Sequence, residues 1–221
     1  MDVHKVKGPY EAFIKRFLDI VISLLVLTLF CWLYAIIAIL VRVKLGSPVI
    51  FAQDRPGKID PDTGKETIFK LYKFRSMTDK RDDNGELLPG KDRLTPFGSM
   101  LRSTSLDELP EIVNILKGDM SLIGPRPLAT VYLPYYSDEE RRRHLVRPGL
   151  TGLAQASGRN GLTWEEKFAY DVNYADNITF MMDVKIIFMT IKAVISHEGI
   201  GDGGKPEDSF HIYRQKQLSD K

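Results

Sequence analysis

The sequence predicts an α+β fold, mostly helical, in which an N-terminal membrane-inserted helix precedes a compact domain with one short β-hairpin. Three observations carry this. Residues 20–41 contain no charged side chain. Two β-prone runs, 49–53 and 67–74, flank a polar stretch with Pro56-Gly57, Pro61 and Gly64, the pattern of a hairpin. After residue 93, apolar residues recur at helical spacing between capping and breaking residues.

The apolar run is long enough for a membrane helix. It is too long for the core of a signal peptide, and no small-x-small cleavage site follows it. A helix apolar on every side is also uncommon in the core of a small soluble domain. Lys5, Lys7, Lys15 and Arg16 precede the run, and Arg42 and Lys44 follow it. Basic residues favour the cytoplasmic side, so the two flanks together predict a re-entrant helix with both ends in the cytoplasm. The run lacks the central proline that such a bend normally uses; Cys31-Trp32 stands there.

Residues 1–46 therefore read as a membrane-anchoring segment, 47–199 as a cytoplasmic domain and 200–221, with Gly201, Gly203 and Gly204, as a flexible tail. Residues 78–93 read as loop. Helices are expected over 96–102, 109–117, 135–145 and 163–175, the last capped by Thr163 with Glu165-Glu166 in its first turn. A final helix begins at Thr179 and ends near Glu198-Gly199. Its apolar stripe fits a core-facing helix, or a helix lying on lipid.

The 221 residues hold 31 Lys and Arg against 29 Asp and Glu. This balance, and the absence of a basic stripe with interleaved aromatics, argue against nucleic acid as a partner. One cysteine, Cys31, excludes an intrachain disulfide and a cysteine-built zinc cluster. No heptad or self-complementary segment argues for a dimer, and a homodimer stays open.

The chemistry concentrates around Ser105-Leu106-Asp107-Glu108-Leu109-Pro110. Ser105-x-x-Glu108 fits a capping box. A helix starting near Pro110 instead leaves both carboxylates just outside its N-terminus. There one carboxylate can attack phosphorus and the other bind a divalent ion. Arg126, between Pro125 and Pro127, has a restricted backbone. Arg147 and Arg159 lie on a Gly-rich loop that also carries Gln155. Lys73 and Arg75 end the second strand, and Arg102 precedes the carboxylates. Each cation alone reads best as a surface ion pair, but several on Gly/Pro loops suit phosphate.

From Lys15 to Gly199 these segments, in order, resemble the small monotopic phosphoglycosyl transferases of the bacterial sugar transferase family. The matching motifs are Lys15-Arg16-x-x-Asp19, Ser47-Pro48-Val49-Ile50-Phe51, Gln53, Arg55-Pro56-Gly57, Tyr72-Lys73-Phe74-Arg75-Ser76-Met77 and Ser105-Leu106-Asp107-Glu108-Leu109-Pro110. Gly118-Asp119-Met120-Ser121-Leu122-Ile123-Gly124-Pro125-Arg126-Pro127, Arg147-Pro148-Gly149-Leu150-Thr151-Gly152 and Gly158-Arg159-Asn160 complete the set. The resemblance implies a UDP-sugar donor, an undecaprenyl phosphate acceptor and Mg²⁺. It implies that Asp107 attacks the β-phosphate, releases UMP and carries the phosphosugar, while Glu108 binds the metal. Lys73, Arg102 and Arg126 match positions associated with the donor and its phosphates. Such enzymes act at the cytoplasmic face of the bacterial inner membrane and begin glycoprotein or exopolysaccharide assembly.

The sequence departs from the family at Cys31-Trp32, where Ser-Pro is usual. It departs again at Ala154-Gln155-Ala156-Ser157-Gly158-Arg159, where Ala-Gln-Val-Asn-Gly-Arg is common. Likeness to the short members points to an N-acetylated amino sugar. Two competing readings are a glycosyltransferase that releases UDP and a non-enzymatic scaffold that holds anionic lipid.

Overall fold

In the structure, a computed structural model, residues 6–158, 161–195 and 209–219 are described. A π-helical turn, Tyr10–Ile14, leads into α1, Lys15–Leu45. The hairpin follows as β1, Ile50–Ile59, and β2, Glu66–Phe74. Next come the single turn α2, Gly90–Arg93, then α3, Pro96–Ser103, and α4, Glu111–Lys117. Short strands β3, Ser121–Ile123, and β4, Gly149–Thr151, pair in parallel. Between them lies α5, Asp138–Arg141; after them come α6, Leu153–Ser157, α7, Trp164–Asp176, α8, Phe180–Ile195, and α9, Phe210–Ser219.

The 31 residues of α1 form one uninterrupted helix, roughly 46 Å long at 1.5 Å per residue. No break occurs at Cys31-Trp32, so the bend that a re-entrant helix needs is not visible in its hydrogen bonding. Both ends of α1 are instead held by the domain. Near the start, Arg16 donates to the carbonyls of Ile115 and Leu116 at 2.5 and 2.8 Å, placing a cation on the C-terminal turn of α4. Asp19, buried, accepts from the Leu122 N–H at 2.9 Å and the Ser121 hydroxyl at 3.1 Å. Towards the end, the Tyr34 hydroxyl donates to the Leu109 carbonyl at 2.6 Å. There Ile37, Val41 and Leu45 pack with Phe74 and Leu101. In between, Thr28 through Trp32 are exposed on every side, and the Thr28 hydroxyl bonds back to the Leu24 carbonyl at 2.8 Å. Lys7, Lys15 and Arg16, counted from sequence as flanking charge, thus each have protein partners.

The hairpin forms where expected but is longer. β1 runs on through Pro56-Gly57 to Ile59, with a register shift between Pro56 and Ile59. A proline cannot donate to a ladder and is tolerated at such an irregularity. On β2, Phe69, Leu71 and Lys73 alternate onto one face, the first two packing against Ile112, Ile115 and Met120. The fully buried Asn114 of α4 fixes this packing. Its amide oxygen accepts from the Tyr72 N–H at 3.0 Å and its nitrogen donates to the Lys70 carbonyl at 2.7 Å.

Two expectations need correction, and one open reading is decided. The helix expected over 135–145 is broken into a 3₁₀ segment Thr130–Tyr135, α5, and a 3₁₀ segment Arg142–Leu145. Ser137 restarts the chain as an N-cap, its hydroxyl and the Glu140 carboxylate bonding each other's backbone N–H in a capping box. The segment expected to be a flexible tail carries α9, whose Phe210 is fully buried. Of the two readings at Ser105, the helix start near Pro110 is the one observed: Ser105 takes a left-handed conformation, φ 55°, and makes no side-chain cap. Thr163 does cap α7, with Glu166 reciprocating. Thr179 accepts from the Met182 N–H; the expected end of that helix at Glu198-Gly199 lies outside the described residues. α8 buries Asp183, Ile186 and Ala193 but exposes Phe180, Met181, Phe188 and Ile191, so it faces the core on one side only.

Candidate active site

A 3₁₀ turn, Leu106–Glu108, brings the two carboxylates to the foot of α4, where Pro110 is the N-cap residue. Ser105 is the one non-glycine residue with positive φ among the described residues, local strain of the kind found where a backbone is bent to present functional groups. Asp107 is 7 % exposed. Among the described residues no other side chain donates a hydrogen bond to its carboxylate, and burial pushes its pKa up against the opposing pull of Lys73. Glu108 differs. Burial pushes it up too, but Arg126 and Lys73 outweigh burial and hold it ionised, well below the usual carboxylate range. One oxygen, Oε1, accepts from Lys73 Nζ and Arg126 Nη2, each at 2.6 Å. Adjacent carboxylates are thus driven apart in basicity by their surroundings.

Lys73 also reaches Glu111 Oε1 at 3.0 Å. Glu111 is 3 % exposed, and burial raises its pKa. Arg102 donates from Nε to the Ser76 hydroxyl at 2.9 Å. That contact depends on Gly98, since a Cβ there would stand 1.8 Å from the Ser76 carbonyl oxygen; only glycine lets α3 approach so closely. Arg75 is buried and fully engaged, donating to the carbonyls of Met77 and Ser47 and to Asp79.

Two cavities meet at Lys73, Arg126 and Arg55. The larger, about 640 Å³, is lined by Asp107, Glu108, Arg75 and Arg102 together with the apolar Pro48, Phe51, Phe74 and Met77. The smaller, about 240 Å³, is lined by Glu111, Tyr132 and Trp164. Of the residues expected from sequence, Asp107, Glu108, Lys73, Arg75, Arg102 and Arg126 therefore converge. Arg147 and Gln155 line neither cavity; Gln155 turns inward, donating to the Leu150 carbonyl at 3.1 Å. Arg159 lies outside the described residues. Sequence reasoning missed Glu111, whose only signal was its place one residue after Pro110.

The donors suit a hard cation. Asp107 and Glu108 offer carboxylate oxygen, and Glu108 keeps one oxygen clear of Lys73 and Arg126. Among the described residues no group of three or more His, Cys, Asp or Glu is arranged to hold a metal. One or two carboxylates completed by substrate phosphate and water is the usual way of holding Mg²⁺.

The model of the family described as bacterial sugar transferase matches residues 10–197. The chain belongs to this family. It is 48 % identical over 187 residues to the uncharacterised sugar transferase EpsL of Bacillus subtilis, covering 85 % of this chain and 90 % of EpsL. It is 36 % identical over 192 residues to a UDP-glucose:undecaprenyl-phosphate glucose-1-phosphate transferase of Caulobacter vibrioides, covering 82 % and 70 %. With a UDP-N-acetylgalactosamine-undecaprenyl-phosphate N-acetylgalactosaminephosphotransferase of Aeromonas hydrophila it shares 36 % identity over 200 residues. That match takes in 87 % of this chain but only 46 % of the relative, so the chain spans less than half of that protein.

Proposed function

We propose that this chain moves a phosphosugar from a UDP-sugar to a polyprenol phosphate, undecaprenyl phosphate by analogy with its relatives, and releases UMP. The observation that carries the reading is the pairing of a buried Asp107 with a Glu108 fixed by two cations, in one cavity with Arg102 and several apolar residues.

Asp107 attacks the β-phosphorus. The bond from that phosphorus to the bridging oxygen breaks, and UMP leaves with the electron pair. The phosphosugar is then held as an acyl phosphate on Asp107. A phosphate oxygen of the polyprenol phosphate attacks the same phosphorus, and the Asp107 carboxylate leaves, giving a polyprenyl diphosphosugar. Burial that raises the basicity of Asp107 strengthens it as a nucleophile. Lys73, Arg102 and Arg126 balance the donor's negative charge. Glu108 with the substrate phosphates would hold Mg²⁺, which supplies further charge neutralisation. The apolar lining of the large cavity, which includes Phe74 packed on the end of α1, suits entry of a prenyl chain.

The exposed apolar turn Thr28–Trp32 of α1 and the outer face of α8 support membrane association, with the domain on the cytoplasmic face. Back-bonding of the kind Thr28 makes often bends helices and would serve re-entry without proline. Incubation with a panel of UDP-sugars, Mg²⁺ and undecaprenyl phosphate tests the chemistry. UMP from the unaltered chain, lost in Asp107→Asn and Glu108→Gln, is expected. UDP in place of UMP, or undiminished turnover by Asp107→Asn, overturns it.

A further inference from the structure

Behind the arginine that touches Glu108 stands a second, wholly buried one. Arg143, 1 % exposed, lies in the 3₁₀ segment after α5. Its Nε and Nη2 donate to Asp171 Oδ2 at 3.0 and 2.7 Å. The same Nη2 donates to the main-chain carbonyl of Arg126 at 2.7 Å, and Nη1 meets His144 Nε2 at 3.1 Å. A buried guanidinium carries five N–H donors, more than one carboxylate oxygen satisfies, and the acceptor that meets this need is the main chain of the Pro125-Arg126-Pro127 turn. That carbonyl lies in a segment whose other side is also pinned, since the Gly149 N–H donates to the Pro125 carbonyl at 2.9 Å. With both carbonyls held and φ of the flanking prolines fixed, the direction of the Arg126 side chain is set from behind.

The C-terminal helix reaches this point too. The Arg143 guanidinium lies over the rings of Tyr136 and Phe168, 5.8 and 5.7 Å from their centroids. Phe210 of α9 stacks on Tyr136 at 5.2 Å and meets Phe168 edge-on at 4.8 Å. α9 is fastened over these rings by ion pairing of Arg214 with Glu140 and by the Tyr213 hydroxyl on Glu165 at 2.8 Å. A continuous set of contacts therefore runs from α9 through two aromatic rings and Arg143 to the main chain of Arg126, and from its side chain to Glu108.

We propose that Arg143 is a positioning residue: it holds the Arg126 carbonyl so that the Arg126 guanidinium is aimed at Glu108 and the donor phosphate, and α9 braces it there. The inference rests on the reading of Arg126 as a phosphate ligand. Lysine at 143 keeps the charge opposite Asp171 but loses the fork that serves Asp171 and the carbonyl at once.

The test is a double-mutant cycle between Arg143→Lys and Arg126→Gln, with Phe210→Leu as a milder, remote second variant. The donor is whichever of UDP-glucose, UDP-galactose, UDP-N-acetylglucosamine and UDP-N-acetylgalactosamine gives UMP with the unaltered chain. If none does, UDP affinity by calorimetry with Mg²⁺ is the readout, so that failure of the proposed activity and of this inference are separable. Arg143→Lys is expected to lower kcat/KM for the donor, or UDP affinity, roughly tenfold with Arg126 present and by no more than about twofold in Arg126→Gln. Phe210→Leu should lower it about threefold with Arg126 present and leave Arg126→Gln unchanged. Thermal midpoints report loss of fold separately; if Arg143→Lys does not fold, Phe210→Leu alone decides. The same factor in both backgrounds means a purely structural role and overturns the proposal.

Discussion

Acidification acts on the same buried layer through His144, and its cost can be worked from the surroundings of the ring. His144 is 4 % exposed. Its Nδ1 lies 3.2 Å from Glu66 Oε1, while Nε2 faces the Arg143 guanidinium at 3.1 Å. An arginine can only donate, so Nε2 is the acceptor and Nδ1 carries the proton. A second proton would land on Nε2, against Arg143. Burial, with Arg143 and against the help of Glu66, accordingly lowers the pKa to about 4 from an ordinary 6.5. Between those values the unfolded chain binds a proton that the folded one refuses, so stability falls as pH falls. The slope approaches 1.4 kcal/mol per pH unit, and the full window is worth about 3 kcal/mol. For a chain of this size that contribution, taken alone, lowers Tm by roughly 6–12 °C. The assay is Tm by intrinsic fluorescence in detergent from pH 7.5 to 4.5, beside His144→Gln. Glu111, whose pKa burial raises to about 7, gains stability on acidification over much of the same window, so the share of His144 is read as the difference between the two proteins. The variant should be less stable at pH 7.5 and should lose less stability than the unaltered chain as pH falls; equal slopes for both proteins refute the reasoning.

Other outcomes follow from the site. Lys73→Met leaves Glu108 with one cation and Glu111 with none, which should cost about 3–5 kcal/mol in denaturant unfolding and abolish nucleotide release. Glu111→Gln keeps the shape and removes a carboxylate whose ionisation burial already opposes, so its stability should stay within about 1 kcal/mol; a loss as large as that of Lys73→Met would contradict the assignment. Gly98→Ala drives a Cβ into the Ser76 carbonyl and should displace α3 with Arg102; we expect at least a tenfold loss of activity and about 1–3 kcal/mol of stability, and wild-type turnover would count against it. Asp183→Asn weakens the junction of Tyr10, Lys15 and Tyr174 and should lower Tm without altering which nucleotide is released.

Local chemistry made much of this legible in advance. Pro110 told where α4 starts, and that placed Asp107 and Glu108 outside it. Lys73 was marked by its place at the end of the second strand, and the Pro-Arg-Pro turn marked Arg126. Illegible features were those that depend on which segments meet. Asn114 looks like any polar residue in a short helix until β2 lies against it. Arg143 reads as one of three consecutive surface arginines, yet it is the buried one because Asp171, 28 residues later, turns to meet it. The helix expected over 135–145 failed because Ser137 offers the backbone a fresh start, a local competition that charge patterning does not reveal. α9 was taken for tail because the glycines before it dominate the composition, while its burial rests on Phe210 and distant rings.

The four-way junction at Asp183 has a mechanical consequence. Tyr10 and Lys15, from the approach to α1, and Tyr174 of α7 all bond its carboxylate, at 2.5, 2.7 and 2.7 Å, while Tyr34 ties the far part of α1 to Leu109 two residues from Asp107. The long helix is thus riveted to the domain towards both ends of its length, with Tyr34 bonded two residues from Asp107. Such a molecule cannot grope for a substrate by swinging on a tether. The height of Asp107 above whatever surface α1 occupies is a built-in dimension, like a gauge block, and under the proposed function a lipid phosphate would have to come to that height.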